Sequence, residues 1–481
     1  MHLSLLTTDD VWRALRRSHA WLTNAPGNVL LLGGGCVALA ASSDIANSTN
    51  APREGGPLPA LLLAATLALA FACFLLAARL QPDVAAKPPC GRARVTRYLL
   101  YPLLLWALFT GIQTATVIVS ALPKTLAAAP ARYGSDDLYY NHYNALLVLR
   151  GENPYAGPWL AAEARYFGDL AYTPLRRGVF SDPRHYPTNA QMDAVMRAYL
   201  RDPAHPPVEI DPATTHSYPA GAFLVNVPGV WAGVASVGFT QILVFLALLA
   251  LIIRVAPPEW RLALALLALT VTDGAREVTG SDFEIWPLFF LALAWAGGGY
   301  RWRSALALGA ACAIKQTAWL AAPFYLLWIW RRDGAREAAR RLGIAAGFFV
   351  LINLPWIVAS PRSWLTSLFL PVSLPLLPDG SGLIGLSLTG ILPLLPPVVY
   401  SALELAALLG ALLWYWRNWA RVPYAGLVLP LLPLLFAWRS SERYFVLLPL
   451  AGVLAVALTL RAQRKNVQPR TPQPYGLPEG V

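Results

Sequence analysis

Charged residues are scarce in this chain of 481 residues: they make up 13% of it, whereas hydrophobic residues make up 56% and the mean hydropathy is +0.48. Soluble domains usually carry about 25% charged residues, so a soluble globular protein is excluded. Apolar runs of roughly 18 residues or more recur along the chain, and each is long enough to cross a bilayer as a helix. The composition therefore predicts a polytopic, all-α integral membrane protein.

Cysteine is also rare, and its spacing excludes both a disulfide-stabilised domain and a zinc-binding domain. The four cysteines lie in or beside apolar segments and show neither a disulfide framework nor a zinc-binding spacing. The net charge is +12, but the basic residues neither form one patch nor alternate with aromatic residues, so a nucleic-acid-binding protein is not favoured. The excess of basic residues is better explained as a membrane-topology signal.

Twelve apolar segments, two of them short, are predicted to span the membrane. The predicted spans are 27–42, 58–80, 98–122, 237–254, 259–273, 284–299, 304–316, 318–330, 342–359, 396–416, 424–437 and 443–461. Tight basic groups recur in alternate connections, for example at 92–97, 301–303 and 331–341, as the positive-inside rule requires when the N-terminus is cytoplasmic. Both termini are therefore predicted to be cytoplasmic. The large excess of arginine over lysine indicates a GC-rich genome and hence a bacterial plasma membrane.

This topology places one long segment, 123–236, on the extracytoplasmic side. Amphipathic stretches at 137–150 and 187–201 are predicted to lie at the membrane surface. The apolar stretch 218–233 is short and interrupted by proline, so it is interpreted as a juxtamembrane helix. Shorter outer loops are predicted at 272–284, 359–395 and 439–444.

The densest group of reactive residues begins the long outer segment, at Ser135-Asp136-Asp137, followed by Tyr140 and His142. A carboxylate at the mouth of an apolar cavity can act as a general base, because apolar surroundings raise its pKa toward working pH. The alternative is that Ser135, Asp136 and Asp137 only cap the amphipathic helix that follows. The residue types alone leave both interpretations open.

The outer loop 272–284 carries Arg276, Asp282 and Glu284 between two apolar spans. Ionisable groups at this depth are costly unless they pair or serve a pathway. Asp282 and Glu284 are candidates to orient a substrate or bind a cation, and Arg276 to bind an anion; the alternative is a solvated loop with internal ion pairs. Divalent sites need more oxygen ligands than two carboxylates provide, so no metal cofactor is predicted.

Isolated cations are the last candidate group. Lys315 lies between two short apolar runs with no acidic residue nearby in sequence, so it must snorkel, find a partner or face an anionic group, and the last is favoured. Arg439 and Arg443 flank the outer ends of the last two spans. Guanidinium groups match phosphate oxygens well, although pairing with Glu442 is the simpler alternative.

In order and topology, these features resemble the GT-C class of membrane glycosyltransferases, and within it the polyprenyl-phosphate-mannose-dependent α-mannosyltransferases of glycosyltransferase family 87. The similarity covers about 98–460, and each motif alone is loose. The matching motifs are Asp136 or Asp137, Tyr140, Ala145-Leu146-Leu147, Gly151-Glu152-Asn153-Pro154-Tyr155, Ser217-Tyr218-Pro219, Gly280-Ser281-Asp282, and Ala307-Leu308-Gly309 to Lys315-Gln316 followed by Pro323. The chain departs from the family pattern in two ways: it has two extra spans before the first motif, and Asp282 and Glu284 stand where the family has an amide-bearing turn.

The resemblance implies a GT-C-type bundle of about 12 helices with outer juxtamembrane helices. It divides the chain into 1–97 with two additional spans, a catalytic domain 98–461 and a cytoplasmic tail 462–481. It also implies an extracytoplasmic active site, in which Asp136 or Asp137 deprotonates the acceptor hydroxyl and a sugar leaves a polyprenyl-phosphate donor with inversion. The acceptor is a lipid or glycan, and no cofactor is implied. The residues expected to bind donor phosphate or substrate are Lys315, Arg276, Arg439, Arg443, His142, Tyr140, Tyr218, Asp282 and Glu284.

Two other functions remain open at this stage. A transporter or flippase for a lipid-linked or anionic solute would also place charges among broken helices, but it predicts internal inverted repeats, and none is evident. A glycan polymerase or ligase of related fold would use a different lipid-linked donor.

Overall fold

The computed structural model describes residues 27–49, 56–79, 90–126, 132–168, 172–212, 216–280 and 282–467. Residues 1–26, most of the predicted tail 462–481 and Ser281 of the Gly280-Ser281-Asp282 motif lie outside the described residues.

The described chain is mostly helical. The first helices are α1 (Gly27–Thr49), α2 (Pro57–Ala77), α3 (Cys90–Thr125), α4 (Asp136–Leu149), α5 (Leu160–Phe167), α6 (Asn189–Arg201), α7 (Gly221–Leu224), α8 (Val227–Trp231) and α9 (Gly238–Val255). They are followed by α10 (Arg261–Ala268), α11 (Thr272–Gly280), α12 (Ile285–Ala296), α13 (Arg301–Ile314), α14 (Thr317–Asp333), α15 (Ala335–Ala359), α16 (Pro361–Ser373), α17 (Leu383–Leu388), α18 (Pro397–Asn418) and α19 (Leu448–Val467). Two short strands, β1 (Asp379–Gly380) and β2 (Arg439–Ser440), pair in parallel.

Seven helices in the described ranges are long and apolar enough to cross a membrane, so the all-α membrane class is confirmed. They are Gly27–Thr49, Pro57–Ala77, Tyr98–Thr125, Gly238–Val255, Ala335–Ala359, Pro397–Asn418 and Glu442–Arg464. The last of these is 89% buried inside the protein, whereas Ala335–Ala359 is only 11% buried. The last span is therefore the centre of the bundle, and α15 presents most of its apolar surface to lipid.

The prediction of twelve helical spans is not confirmed. Four predicted spans correspond to the shorter helices α10, α12, α13 and α14; α12, with 12 residues, reaches about 18 Å, less than the roughly 30 Å of a hydrocarbon core. The segment predicted to span the membrane at 424–437 forms three short 3₁₀ helices and not one continuous α-helix. Pro430 and Pro433 lie within it, and proline cannot donate the backbone bond that a continuous α-helix needs.

The helices predicted within 123–236 are confirmed more closely than the loop predicted at 272–284. The stretches predicted at 137–150 and 187–201 form α4 and α6, and Thr188 begins α6 with a reciprocal capping box to Gln191. The proline-interrupted stretch 218–233 forms α7 and α8. The prediction that 272–284 is a loop is wrong, because 272–280 forms α11; its apolar face, including Ala275 and Val278, is buried against the bundle.

The first two helices share one apolar core with the rest of the bundle. The Phe74 ring of α2 lies so close to α1 and α19 that a Cβ on Gly35 or Gly452 would stand 2.8 Å or 2.5 Å from a ring atom. Glycine at both positions therefore lets the two additional helices pack directly on the central helix.

A second close approach joins the outer segment to the bundle. A Cβ on Gly221, in α7, would lie 2.3 Å from the backbone oxygen of Ala313, at the end of α13. Because neither backbone can yield like a flexible side chain, only glycine allows α7 to contact the turn that carries Lys315.

Gly221→Ala is expected to lower the midpoint of thermal unfolding in detergent, because overpacking against backbone costs about 1–3 kcal/mol. Gly343→Ala is the matched control, since a Cβ there meets nothing within 4 Å and alanine favours a helix. Equal midpoints for the two variants would contradict the close approach.

Candidate functional site

Lys315 lies in the break between α13 and α14, where its backbone is extended. Its side chain is 5% exposed, and three carboxylates surround its ammonium group. Nζ lies 2.9 Å from Asp137 Oδ2, 3.0 Å from Glu284 Oε1 and 3.5 Å from Asp282 Oδ1. Residues up to 178 positions apart therefore meet in one buried ion cluster, which we define as Lys315, Asp137, Asp282 and Glu284.

The end of a helix determines the position of each carboxylate in the cluster. Asp137 lies in the first turn of α4, whereas Asp282 and Glu284 lie between α11 and α12. Asp282 Oδ1 accepts a hydrogen bond from the Phe283 backbone at 2.6 Å, and Glu284 Oε2 accepts one from Thr317 Oγ1 at 2.9 Å. Thr317, at the start of α14, thus gives Glu284 a second contact besides Lys315, and Glu284 immediately precedes α12.

Tyr218 closes the cluster on the side of the long outer segment. Its hydroxyl donates a hydrogen bond to Asp137 Oδ1, and its ring centroid lies 5.1 Å from Lys315 Nζ, within cation–π range. The Tyr218 carbonyl accepts a bond from the Tyr155 hydroxyl at 2.8 Å, and the Ser217 carbonyl accepts one from Gln316 at 2.5 Å. Tyr218 is therefore fixed by its neighbours.

The ion cluster contains more acid than base, because three carboxylates face one ammonium group. Burial raises the pKa of Asp282 to about 7, and the charges of Glu284 and Asp137 add to this against the effect of Lys315. Asp282 Oδ2 has no hydrogen-bond partner among the described residues. Burial also opposes ionisation of Asp137, but Lys315 and the Tyr218 hydrogen bond outweigh it and hold the pKa of Asp137 below its ordinary value.

Asp136, the neighbour of Asp137, has a different environment. Its Oδ2 accepts a hydrogen bond from Thr173 Oγ1 at 2.5 Å, and its Oδ1 accepts one from the Asp137 backbone at 3.0 Å. Burial and the adjacent Asp137 charge raise the pKa of Asp136, while the Thr173 bond and the charges of Arg439 and Arg443 oppose the rise. Two adjacent carboxylates thus have pKa values shifted in opposite directions.

Helix capping accounts for only part of this arrangement. Ser135 occupies the N-cap position of α4, but its side chain accepts no capping hydrogen bond from the helix. The Asp136 oxygen bonded to the Asp137 backbone is a local turn contact. Neither interaction explains why Asp137 reaches Lys315 and Tyr218.

Arg443 and Arg439 lie beside the carboxylate pair, outside the ion cluster. Arg443 is half-buried, with Nε 3.4 Å from Glu277 Oε2 and Nη2 3.4 Å from the Gly134 carbonyl, just before α4. Arg439 lies in β2, and its Nη1 donates to the Leu377 carbonyl at 3.2 Å. The ion pair that the structure gives for Arg443 is with Glu277, on α11.

Gly380 fixes the position of β2. Its φ is +118°, and a Cβ there would lie 1.9 Å from the Ser440 carbonyl oxygen. Only glycine permits this backbone, so β1 can lie against β2, the strand that carries Arg439.

The other predicted residues lie in different surroundings. Tyr140 is buried on α4, one turn from the carboxylate pair. His142 is buried too, with Nδ1 2.7 Å from the Tyr133 hydroxyl, and burial lowers its pKa to about 4, so it is a neutral packing contact. Arg276 is exposed and pairs with Asp273 at 2.6 Å, so it does not join the cluster.

The alternative cation site at Asp282 and Glu284 is filled by the protein's own ammonium group, since both carboxylates face Lys315. Likewise, the anionic groups that Lys315 faces are carboxylates of the chain itself. Within the described ranges, no group of three or more histidine, cysteine or acidic residues has metal-binding geometry.

Sequence reasoning missed Thr173 as a partner of Asp136 and Glu277 as a partner of Arg443. Thr173 lies in an irregular part of the outer segment with no motif around it, so no signal indicated its role. Glu277 stood among the charges of 272–284, and its partner 166 residues later in the chain is set only by folding.

A scan against protein-family models, a search of curated proteins and a search of solved structures each find no match to this chain. The class is therefore defined by the structure alone: a mostly helical membrane protein with a buried ion cluster beside an adjacent pair of carboxylates.

Lys315→Met should lower the free energy of unfolding by about 3 kcal/mol, because removing one partner leaves buried carboxylates uncompensated. Thermal unfolding in detergent measures the loss, and Lys315→Met combined with Asp137→Asn should recover part of it. Lys124→Met, at the exposed end of α3, is the control. Equal unfolding midpoints for the two single variants would contradict the buried ion cluster.

Asp282 makes stability fall as pH rises. Its folded pKa of about 7 exceeds the ordinary value of 3.8, so between these values the folded state holds a proton that the unfolded state has lost. Asp282→Asn should therefore raise the unfolding midpoint more at pH 8 than at pH 5. Asp193→Asn, which changes an exposed carboxylate of α6, is the control, and a pH-independent effect of Asp282→Asn would rule out this titration.

Proposed function

We propose that this protein is a GT-C-type membrane glycosyltransferase, which transfers a sugar from a polyprenyl-phosphate-linked donor to a lipid or glycan acceptor. Mannose is the sugar that the motif resemblance suggests. The observation that carries the proposal is the Asp136–Asp137 pair at the start of α4, with opposite pKa shifts, beside Arg439 and Arg443. This arrangement provides a base and cations for a departing phosphate at one membrane-level site.

Asp136 is the proposed general base. A raised pKa brings a carboxylate closer to working pH, where a base is most effective, whereas Asp137 is held as an anion by Lys315. The acceptor O–H gives its proton to Asp136, and the acceptor oxygen forms a new bond to the anomeric carbon. The bond between that carbon and the phosphate oxygen breaks, and its electron pair leaves with polyprenyl phosphate, which inverts the anomeric configuration.

Arg443 and Arg439 are the proposed phosphate contacts. Negative charge develops on the leaving phosphate, and fixed cations in a low-dielectric site stabilise such charge. Arg443 is 38% exposed, so a guanidinium edge remains available beside Gly134. Lys315 is already shared among three carboxylates, so its proposed role is to orient Asp137 and, through α4, Asp136.

The order of the motifs and the presence of short apolar helices support a GT-C-type helical bundle, which is part of this proposal. The helices α10, α12, α13 and α14 are apolar but short, and broken helices occur in membranes where they border protein or a cavity. We propose that with their neighbours they complete a bundle of about twelve membrane-embedded segments. The arginine distribution supports a site on the extracytoplasmic side of a bacterial plasma membrane as part of this proposal.

A second candidate is a transporter for an anionic or lipid-linked solute. One observation favours it: the ion cluster lies at the break between α13 and α14. Charged clusters at broken helices occur along transport pathways. A transporter would move an intact donor and form no new glycosidic bond.

Asp136→Asn should reduce sugar transfer by at least 100-fold, because it removes the base. The measurement uses purified protein in detergent, radiolabelled polyprenyl-phosphate-mannose and bacterial lipid extract, with labelled product separated by chromatography. Asp137→Asn should retain measurable transfer and change its pH profile, because Asp137 influences the pKa of Asp136. Asp193→Asn, in an exposed carboxylate of α6, is the control.

Full activity of Asp136→Asn would refute the base assignment. If the wild-type protein transferred no sugar from any polyprenyl donor, yet moved labelled donor across the membrane of reconstituted vesicles, the transporter would replace the glycosyltransferase as the better proposal.

A further inference from the structure

An apolar groove lies along α14, the helix that follows Lys315, and extends from its middle toward the end that is far from Lys315. It encloses about 480 Å³ and is lined almost entirely by apolar atoms from α14, α15 and α18. Its wall includes Pro323, Trp330, Leu342, Leu412 and Trp416. Trp330 and Leu342 are 49% and 51% exposed, so the groove opens to the lipid side of the bundle.

The groove ends at a basic rim. Trp330 lies within one turn of the end of α14, and the charge pattern predicts that this end faces the cytoplasm. The Arg331 guanidinium lies 4.7 Å from the ring centroid of Trp416 and 5.5 Å from that of Trp419. Two indoles therefore hold a cation at the mouth of the groove.

Carboxylates near this rim pair with other arginines. Asp333 accepts from Arg332 at 2.6 Å, and Glu337 accepts from Arg341 at 2.9 Å and from Arg340 at 3.4 Å. No carboxylate of the described residues forms an ion pair with Arg331, whose contacts are the indole faces. A stacked guanidinium keeps its N–H edge available for an anion.

We propose that this groove is a binding site for an anionic phospholipid, with an acyl chain between α14, α15 and α18 and the phosphate at Arg331. Membrane lipid is as apolar as the groove wall, so the hydrophobic effect alone does not select an occupant. The shape of the groove holds the acyl chain, and the positively charged rim at Arg331 selects the negatively charged headgroup. Basic pockets between transmembrane helices on the cytoplasmic side bind anionic headgroups in this way.

The site is separate from the proposed sugar-transfer chemistry, because the groove is lined by residues within 323–330 of α14, 338–342 of α15 and 412–416 of α18, none of which belongs to the ion cluster or to the proposed catalytic residues. The proposal therefore stands whether or not the glycosyltransferase assignment is correct.

Native mass spectrometry of the full-length protein tests the proposal. The protein is released from detergent with phosphatidylglycerol or phosphatidylcholine of identical acyl chains, and retained lipid is counted. Phosphatidylglycerol should be retained in preference. Ala339→Trp, which fills the groove wall, should abolish retention of that lipid, whereas Leu351→Trp, at a 63% exposed position of the same helix, should leave it unchanged.

Arg331→Gln tests the headgroup contact without altering the groove. It should weaken retention of phosphatidylglycerol about five-fold, the effect expected for one basic residue near a membrane surface. Arg254→Gln, in an exposed arginine at the end of α9, should have no effect. Thermal unfolding of every variant confirms that the fold is retained.

Three outcomes would overturn the proposal. They are equal retention of the two phospholipids, retention of phosphatidylglycerol by a folded Ala339→Trp protein at the wild-type level, and preferential retention of undecaprenyl phosphate over phosphatidylglycerol. An unchanged Arg331→Gln protein would overturn the headgroup contact.

Discussion

The arrangement of the site depends on one buried ammonium group. An unpaired cation at this depth would cost several kcal/mol, so Lys315 requires anionic partners, and none lies near it in sequence. Asp137, Asp282 and Glu284 come from the outer helix α4 and from the connection between α11 and α12, and Tyr218 comes from the long outer segment. The contacts around this one ammonium group thus bring together four segments that are distant along the chain: α4, the connection between α11 and α12, the segment around Tyr218, and the break between α13 and α14 that carries Lys315.

The positive charge of Lys315 also makes two neighbouring carboxylates differ in pKa. Asp136 and Asp137 share a helix turn, yet only Asp137 contacts Lys315, so their pKa values shift in opposite directions. Pairs of acids with diverging pKa values are typical of sites where one group holds charge and the other exchanges a proton. Asp282, with its raised pKa, relieves the excess negative charge and allows Asp137 to stay ionised.

Local patterns predicted much of the fold but few of its contacts. Amphipathic periodicity located α4 and α6 to within two residues, because a helix face is encoded by neighbours in sequence. The charges of 272–284 indicated a loop, whereas packing of Ala275 and Val278 makes a helix there. The sequence identified Lys315 and Asp137 separately, but their pairing joins residues 178 positions apart, and local sequence patterns do not encode such a contact.

A second buried cation, Arg341, limits how the site can move. It donates to Ser304 in α13 at 3.0 Å and to Tyr325 in α14 at 2.9 Å, so α15 is joined to the start of α13 and to the middle of α14. At the other end of the same helix pair, Lys315 binds the carboxylates. Buried polar contacts break only at high cost, so Arg341 and Lys315 together fix α13 and α14 relative to α15, to α4 and to the connection between α11 and α12.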